Sequence, residues 1–178
     1  MTERTEEQIV EAARNGHLES FGALYERYHS PMVALAYSVL GDRDLADDAA
    51  QETFAIACQK LSSLRQSDKF AAWLGSICRN VARSIIRSKG KSEVLNFKEP
   101  VVNQDSEDYR QDAIRQAVWK LRDADRELIV MRYYNGFSRA EICNVLDISP
   151  SAVNGRLVRA KRKIAKYLER SGFTEGEL

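Results

Sequence analysis

Residues 138–166 encode two short helices in immediate succession, and this segment constrains the fold more strongly than any other. Ser138 and Glu141 have the S-x-x-E spacing of a capping box, which opens the first helix. A short turn at 146–148 follows, and Ser149 then caps a second helix with Pro150 at its first position. From 154 to 166 this second helix holds six basic residues and no acidic one. A capped helix, a tight turn and a cationic helix are typical of a reader of the DNA major groove.

Helical geometry predicts which side of the second helix faces outward. At about 100° per residue, Val153, Leu157, Ala160, Ile164 and Leu168 share one apolar stripe, which must face a core. The alternative is a surface helix whose cationic face is only solvated, but the capped first helix and the tight turn favour DNA binding. The predicted reading face opposite and beside the stripe comprises Ser151, Ala152, Asn154, Gly155, Val158, Arg156, Arg159, Arg162 and Lys166.

The rest of the patterned sequence is also helical, so the predicted fold class is all-α. Helices are expected from a Thr5–Gln8 capping box, over 18–40 with a break or kink at Pro31, from about Asp44 to 61, and over 70–89. The helix that ends near 61 is expected to turn four side chains inward: Ala49, Phe54, Ala57 and Cys58. A polar loop at 61–69 separates the last two of these helices.

Composition narrows the protein class. No apolar run of about 18 residues exists, and the N-terminus lacks a signal-peptide core, so we expect a cytoplasmic protein with no membrane insertion. The three cysteines (Cys58, Cys78, Cys143) lack metal-ligand spacing, which predicts buried thiols rather than zinc or disulfides. His17 and His29 have no arranged nucleophile or carboxylate. We therefore expect no catalytic residues, no metal and no cofactor.

Charge is strongly segregated along the chain. Residues 61–92 hold 7 basic and 1 acidic residues, residues 93–112 hold 2 and 6, and residues 113–178 hold 13 and 8. The stretch 90–112 contains Gly90 and Pro100 and lacks helical periodicity, so we interpret 91–112 as a mobile interdomain linker. The sequence thus predicts two small helical domains, 1–90 and 113–172, each with a basic surface, and a frayed tail at 173–178.

The first domain carries one basic and one acidic surface. Arg79, Arg83 and Arg87 recur every four residues beside Asn80, a spacing that can follow a phosphate backbone. Trp73 on the same helix either stacks on bases or packs in the core. The Asp-rich segment 42–52 suits a helix N-terminus and lacks the glycine and terminal glutamate of a calcium loop. Its exposed acidic side is a candidate docking surface for a protein partner (Asp48, Gln51, Glu52).

In these motifs the chain resembles the extracytoplasmic-function (ECF) sigma factors of bacterial RNA polymerase. The stretch DDAAQETF at 47–54, followed by WLGSICRNVA at 73–82, is similar to sigma region 2. The segment from 118 to 168, which includes the helix-turn-helix, is similar to region 4. The resemblance implies a non-enzymatic promoter-recognition subunit, built from a region 2 bundle and a region 4 helix-turn-helix joined by a flexible linker. It also implies as partners the polymerase core (beta-prime clamp helices and beta flap), promoter DNA and an anti-sigma factor.

The resemblance assigns roles to individual positions. The residues implied to dock on the beta-prime clamp helices are Asp44, Asp47, Asp48, Gln51, Glu52 and Phe54. Those implied to capture a flipped base and bind the minus-ten element are Leu64, Arg65, Gln66, Ser67, Asp68, Lys69, Trp73, Arg79, Asn80, Arg83 and Arg87. Those implied to enter the major groove at the minus-thirty-five element are Ser149, Ser151, Ala152, Asn154, Gly155, Arg156, Arg159 and Arg162.

Two departures and two alternatives accompany this interpretation. Family members often carry Lys or Arg at the position of Asn154 and Ser at that of Gly155; an asparagine can instead pair with adenine. A stand-alone helix-turn-helix regulator, with 1–90 as a sensor or dimerisation module, would bind operator DNA without polymerase. A nuclease or recombinase would need carboxylates within a basic cleft, whereas here acidic clusters and basic faces occupy different segments.

Overall fold

In a computed structural model, which describes residues 5–89 and 107–172, the chain folds into α-helices with no β-strand in these ranges. A π-helical turn at Val130–Tyr134 follows the helix that ends at Ile129, and two 3-10 turns, Leu61–Ser63 and Ser67–Lys69, precede the helix that begins at Phe70. The all-α prediction is confirmed. No helix in the described ranges combines the length and hydrophobicity that a bilayer span requires. The helices are α1 (Glu6–Arg14), α2 (Leu18–Leu40), α3 (Arg43–Lys60), α4 (Phe70–Lys89), α5 (Glu107–Trp119), α6 (Asp123–Ile129), α7 (Arg139–Leu146) and α8 (Pro150–Arg170).

The predicted start signals coincide with real helix starts. At α7 the Glu141 amide donates to Ser138 Oγ at 3.2 Å, and the Ser138 amide donates to the Glu141 carboxylate at 2.7 Å. These bonds to the charged carboxylate lower the pKa of Glu141. At α8 the Ser149 hydroxyl accepts a hydrogen bond from the Ala152 amide at 3.2 Å. Local sequence therefore sets both boundaries of the helix-turn-helix.

The prediction that Pro31 opens a new helix was wrong, because α2 continues through it from Leu18 to Leu40. A proline in a helix interior removes one backbone hydrogen bond and costs about 3 kcal/mol. Burial on both sides of the proline offsets this cost: Leu24, Tyr28, Met32 and Leu35 are each at most 5% exposed. Fully burying each large apolar side chain contributes roughly 1.5–3 kcal/mol.

The first unit of the fold, α1–α4, packs its helices around α2. Leu24, Met32, Leu35 and Leu40 from α2 are fully buried, and Phe70 of α4 packs edge-on against the Tyr28 ring. Tyr28 also donates a hydrogen bond to the Glu6 carboxylate at 2.6 Å, which ties α1 to α2. The long polar faces of α3 and α4 are left outward, and they carry the candidate site residues.

The second unit, α5–α8, begins earlier than the charge pattern predicted. Helix α5 starts at Glu107, inside the segment that we interpreted as linker up to 112. The acidic residues at 107, 108 and 112 led us to extend the linker too far, because charge composition alone does not locate a helix start. The predicted mobility of the linker concerns 91–106, which lies outside the described residues.

The two units meet in one continuous apolar core rather than standing apart. Helix α7 lies against α4, and α6 with its π-helical turn lies against α2. We call this contact between the two units the seam, and Arg126 makes polar contacts across it. Its guanidinium donates to the Ser38 carbonyl of the first unit and to the Trp119 and Leu121 carbonyls of the second. Its burial lowers the pKa of Arg126.

The cysteines were predicted to be buried thiols, and this is right for one of them. Cys78 is fully buried with its thiol 3.3 Å from the Met32 carbonyl, and burial raises its pKa to about 11. Cys143 is half-buried, whereas Cys58 is exposed on α3. Of the two neighbours that we expected to face inward, Ala57 is fully buried and Cys58 is not.

Candidate nucleic-acid interface

The reading face of α8 is open. Asn154, Arg159 and Arg162 are exposed, and Val158 beside them is 56% exposed. The nearest atom to a Cβ built on Gly155 is Arg159 Nη1 at 3.3 Å, so the far end of one flexible side chain is what a methyl group would displace. The backbone at this point can therefore approach a ligand surface closely.

The opposite side of α8 holds the helix in place. Val153, Leu157 and Ala160 are buried as predicted, and Lys163 Nζ donates to Asp125 Oδ2 at 2.8 Å. Asp125 is only 3% exposed, so the Lys163 ammonium group pairs with a buried carboxylate of α6 and is not available to a ligand. The Ser149 hydroxyl is likewise occupied by the cap of α8. Ala152 and Arg156 are half-buried at the edge of the reading face, and Ser151 is exposed.

The loop before α4 is more structured than the predicted polar loop. Leu64 was assigned to DNA binding, but its side chain is only 6% exposed, so the structure contradicts a direct contact. The two 3-10 turns fold Leu61 and Leu64 inward next to Phe70, and Arg14 Nη1 donates to the Leu64 carbonyl at 3.3 Å. The neighbouring polar side chains remain accessible, with Ser67 half-buried and the others exposed: Arg65, Gln66, Ser67, Asp68 and Lys69.

Helix α4 presents a mixed surface beyond this loop. Trp73 is half-buried, with its ring centroid 6.0 Å from that of Phe70, so one side of the indole packs while part stays accessible. Asn80, Arg83 and Arg87 are exposed, as predicted from the four-residue spacing of the arginines. The face therefore joins an aromatic ring to a row of cations, which suits a single nucleic-acid strand.

Two cations of this surface already have partners. Arg79 Nε lies 3.2 Å from Glu127 Oε1, with the two side chains 20% and 9% exposed. Lys69 Nζ lies 3.0 Å from Asp147 Oδ1 in a more exposed pair, and this hydrogen bond raises the pKa of Lys69. Because both carboxylates belong to the second unit, the sequence pattern of the first unit gave no sign of these pairs.

The acidic face of α3 lies beside the basic surface of α4, on the neighbouring helix. The carboxylate of Asp42 caps the helix by accepting from the Leu45 amide at 2.9 Å. Asp47 is half-buried, and the other polar residues assigned to docking are exposed: Asp44, Asp48, Gln51 and Glu52. This arrangement leaves a row of carboxylates on one side of the first unit, in contact with solvent.

Phe54 corrects the assignment of docking residues. It is 3% exposed, with its ring centroid 4.7 Å from that of Tyr25 and 6.4 Å from that of Phe21. A phenyl ring that is enclosed by other rings contributes no surface to a partner. Its role in this structure is to hold α3 against α2, and thereby to position the acidic side chains that precede it.

Sequence reasoning missed an apolar groove between α3 and α4. Asp48 and Glu52 stand on one wall, Asn80 and Arg87 on the other, and the floor is apolar (Ile56, Ile77, Val81, Ile85). The signal was present, because Ile56 follows Glu52 by one helical turn on α3. However, the helical periodicity placed Ile77, Val81 and Ile85 on the core stripe of α4, whereas in the structure they are only half-buried.

Two family models match the chain. One, described as Sigma-70 region 2, covers residues 24–92, and the other, described as Sigma-70, region 4, covers residues 111–164. Together they account for more than half of the chain and correspond to the first and second units of the fold. The acidic α3 face, the α4 surface and the α8 reading face all fall within these matches.

Individual relatives agree with the family models. The ECF RNA polymerase sigma factor BldN of Streptomyces coelicolor is 28% identical over 90% of this chain, which spans 65% of that protein. A solved structure of CnrH in complex with the cytosolic domain of CnrY is 27% identical, covers 93% of this chain and 97% of its own, and has a TM-score of 0.63. The sigma factor RpoE with the anti-sigma factor NepR from Bartonella quintana shares the fold at 23% identity, with a TM-score of 0.56 over 85% of this chain and 98% of its own.

These matches extend along most of the chain, in the same order of regions, and not only over its helix-turn-helix. A stand-alone regulator is therefore not favoured, since it would not require the acidic helix and the cationic helix of region 2. The chain belongs to the extracytoplasmic-function sigma factors, which direct bacterial RNA polymerase to promoters.

Proposed function

We propose that this sigma factor docks on the polymerase core through α3, captures the minus-ten element with α4 and its preceding loop, and reads the minus-thirty-five element with α8. The observation that carries the proposal is the separation of charge. One chain presents an acidic helix face and two cationic helix faces on different helices, all exposed (Glu52, Arg83 and Arg159 at their centres). The protein adds no covalent step of its own.

The docking surface that we assign comprises the acidic side of α3 and the groove beside it. An acidic row steers association with a basic partner surface, and the apolar floor at Ile56, Val81 and Ile85 supplies area that can be buried. We assign this surface to the beta-prime clamp helices. The beta flap is assigned to the second unit, without particular residues, and the complex would act in the bacterial cytoplasm.

The two DNA surfaces differ in what they can read. The α8 face has the small residues and the exposed cations of a major-groove reader. Asn154 on this face has an exposed amide that can pair with adenine. The α4 surface combines Trp73 with Arg83 and Arg87, which favours an unpaired strand over a duplex. The pair of surfaces therefore fits one element that is read as duplex and one that is captured as it opens.

In-vitro transcription tests the proposed function directly. Core polymerase mixed with genomic promoter fragments should start transcripts at discrete sites only when this protein is added. The protein alone should protect no fragment from nuclease digestion, since a sigma factor acts on DNA through the polymerase. Protection of discrete sites by the protein alone, with no gain in transcription, would instead identify a stand-alone regulator.

Replacing Arg159 by alanine should weaken upstream promoter contact by roughly tenfold, because one base or phosphate contact contributes about 1–3 kcal/mol. The measurement is the affinity of reconstituted holoenzyme for a promoter fragment, together with the nuclease footprint upstream. Arg170→Ala is the matched control, since Arg170 is an exposed arginine at the far end of the same helix. An upstream footprint that survives Arg159→Ala unchanged would remove α8 from the groove.

We also propose that an anti-sigma factor holds the protein inactive by covering both units. The support is the likeness to CnrH, whose structure was solved with the cytosolic domain of CnrY bound, and the shared fold with RpoE bound to the anti-sigma factor NepR. The apolar groove between α3 and α4 is the surface that such a partner would share with the polymerase. Competition between a candidate anti-sigma factor and core polymerase for this protein tests the assignment.

A further inference from the structure

A cavity of about 370 Å³ lies at the seam, between α2 and α3 of the first unit and α5 and the π-helical turn of the second. Its volume is within the range of about 300–1,000 Å³ that is typical of sites for small molecules. The residues that line it belong to none of the residue sets that we assign to polymerase or DNA. Its role is therefore separate from those surfaces.

The charged groups of the cavity are cations. Two arginines and no carboxylate are found among the described residues that line it. Arg43 is exposed at the first position of α3. Arg115 is exposed on α5, and its contact with Asp112 at 3.4 Å uses one of the five donors of the guanidinium. Positive charge that is concentrated in a cleft attracts anions, and a guanidinium can bind two oxygens of one phosphate. The cavity therefore favours a ligand that carries phosphate groups.

Two tyrosines supply the aromatic part of the walls. The ring of Tyr37 is held edge-on by Trp119, with the ring centroids 6.3 Å apart. Partial burial raises the pKa of Tyr134, the nearby Tyr37 raises it further, and Arg115 opposes the shift. The Tyr134 phenol is therefore a neutral hydrogen-bond donor at neutral pH and does not repel an anion. Aromatic rings in such a setting can stack on a nucleobase.

The backbone that carries Tyr134 is unusual. Val130–Tyr134 forms a π-helical turn, in which the Asn135 amide donates to the Val130 carbonyl at 3.2 Å. Such turns are rare and occur frequently at functional sites. Tyr134 lines this cavity, whereas its neighbour Tyr133 lines a separate groove beside α8. Asn135 adds an exposed side-chain amide, which offers both a donor and an acceptor to the edge of a base.

We propose that this cavity binds a nucleoside di- or triphosphate. The phosphates contact the two arginines, and the base packs against the two tyrosine rings over an apolar floor of Val33 and Ala34. Because both units contribute residues, the site is complete only while the units are in contact, and a bound nucleotide stabilises the folded protein. The site does not depend on the polymerase and DNA assignments, since it shares no residue with them.

Titration of the full chain with each of the four ribonucleoside triphosphates tests the proposal. At least one should bind saturably at one site per chain in calorimetry. At a hundredfold excess over its Kd, that nucleotide should raise the midpoint of thermal unfolding by roughly 5–10 °C. Pyrophosphate and the parent nucleoside each supply only one half of the ligand, so each should bind at least about tenfold more weakly.

Four variants locate the bound nucleotide. Arg43→Ala and Arg115→Ala should each weaken its binding by about tenfold, because each removes a charge-assisted contact. Arg139→Ala is the matched control for Arg43→Ala, since Arg139 is also an exposed arginine at the first position of a helix. Tyr134→Leu should weaken the binding of the nucleotide but not that of pyrophosphate. Tyr133→Leu is its control, because Tyr133 lies on the separate groove.

The proposal has definite ways to fail. Binding that is lost in Arg159→Ala but kept in Arg43→Ala would place the nucleotide on the α8 reading face instead. Pyrophosphate that binds as tightly as the nucleotide would show that the tyrosines recognise no base. The absence of binding by all four nucleotides would remove the site altogether. Without nucleotide, Arg43→Ala and Arg115→Ala should unfold within about 2 °C of wild type, so that a loss of binding reports on the site and not on folding.

Discussion

The Glu52→Lys variant should lose its affinity for core RNA polymerase, by about a hundredfold or more in a pull-down or titration with purified core enzyme. Glu52 is exposed on the acidic face of α3, at the edge of the apolar groove that we assign to docking. Reversing its charge removes one attractive contact and places a cation opposite a basic partner surface, and like-charge contacts at an interface cost several kcal/mol. Transcription that depends on this protein should fall in parallel.

Helix content and folding should be unaffected in the same variant, because surface substitutions away from a cap or core usually change stability by less than about 0.5 kcal/mol. Glu11→Lys is the matched control: it reverses an exposed glutamate on α1, away from the acidic face of α3. Polymerase binding that is equal in wild type and Glu52→Lys, with Glu11→Lys also unchanged, would contradict the docking assignment.

The Arg126→Ala variant should lower the free energy of unfolding by about 3–5 kcal/mol, the second large effect that we expect. Its guanidinium donates to the Ser38, Trp119 and Leu121 carbonyls and to Asp123 Oδ1, and it lies 4.3 Å over the Trp119 ring. Removing it leaves buried acceptors without donors, each at a cost of about 1–3 kcal/mol. The midpoint of thermal unfolding should fall by about 10 °C.

Two further substitutions serve as comparisons for Arg126→Ala. Arg126→Lys keeps the charge but cannot reproduce the five donors of a guanidinium, so it should recover only part of the lost stability. Arg122→Ala removes an arginine whose side chain is 79% exposed, and it should change the free energy of unfolding by less than about 1 kcal/mol. An Arg126→Ala protein as stable as Arg122→Ala would show that the seam does not depend on this residue.

Local rules predicted the helix-turn-helix and much of the first unit. The capping boxes at Thr5 and Ser138, the cap at Ser149 and the apolar stripe of α8 all depend on residues within a few positions of each other. The errors arose where packing outweighed a local rule. The helix at Pro31 persists because burial offsets its missing hydrogen bond, and Leu64 turned inward because neighbouring elements supplied apolar surface.

The sequence by itself determined the all-α class, the order of the two sigma regions and which helix faces are acidic or basic, because periodicity and capping act over three or four residues. The tertiary structure alone decided which of those charges are free. Lys69 and Arg79 read as unpaired cations along the chain, but they meet Asp147 and Glu127 in the fold. Contacts across 78 and 48 residues depend on how helices pack. Gly75 permits that packing because it has no side chain, and a Cβ built there would stand 2.9 Å from the Val145 carbonyl oxygen.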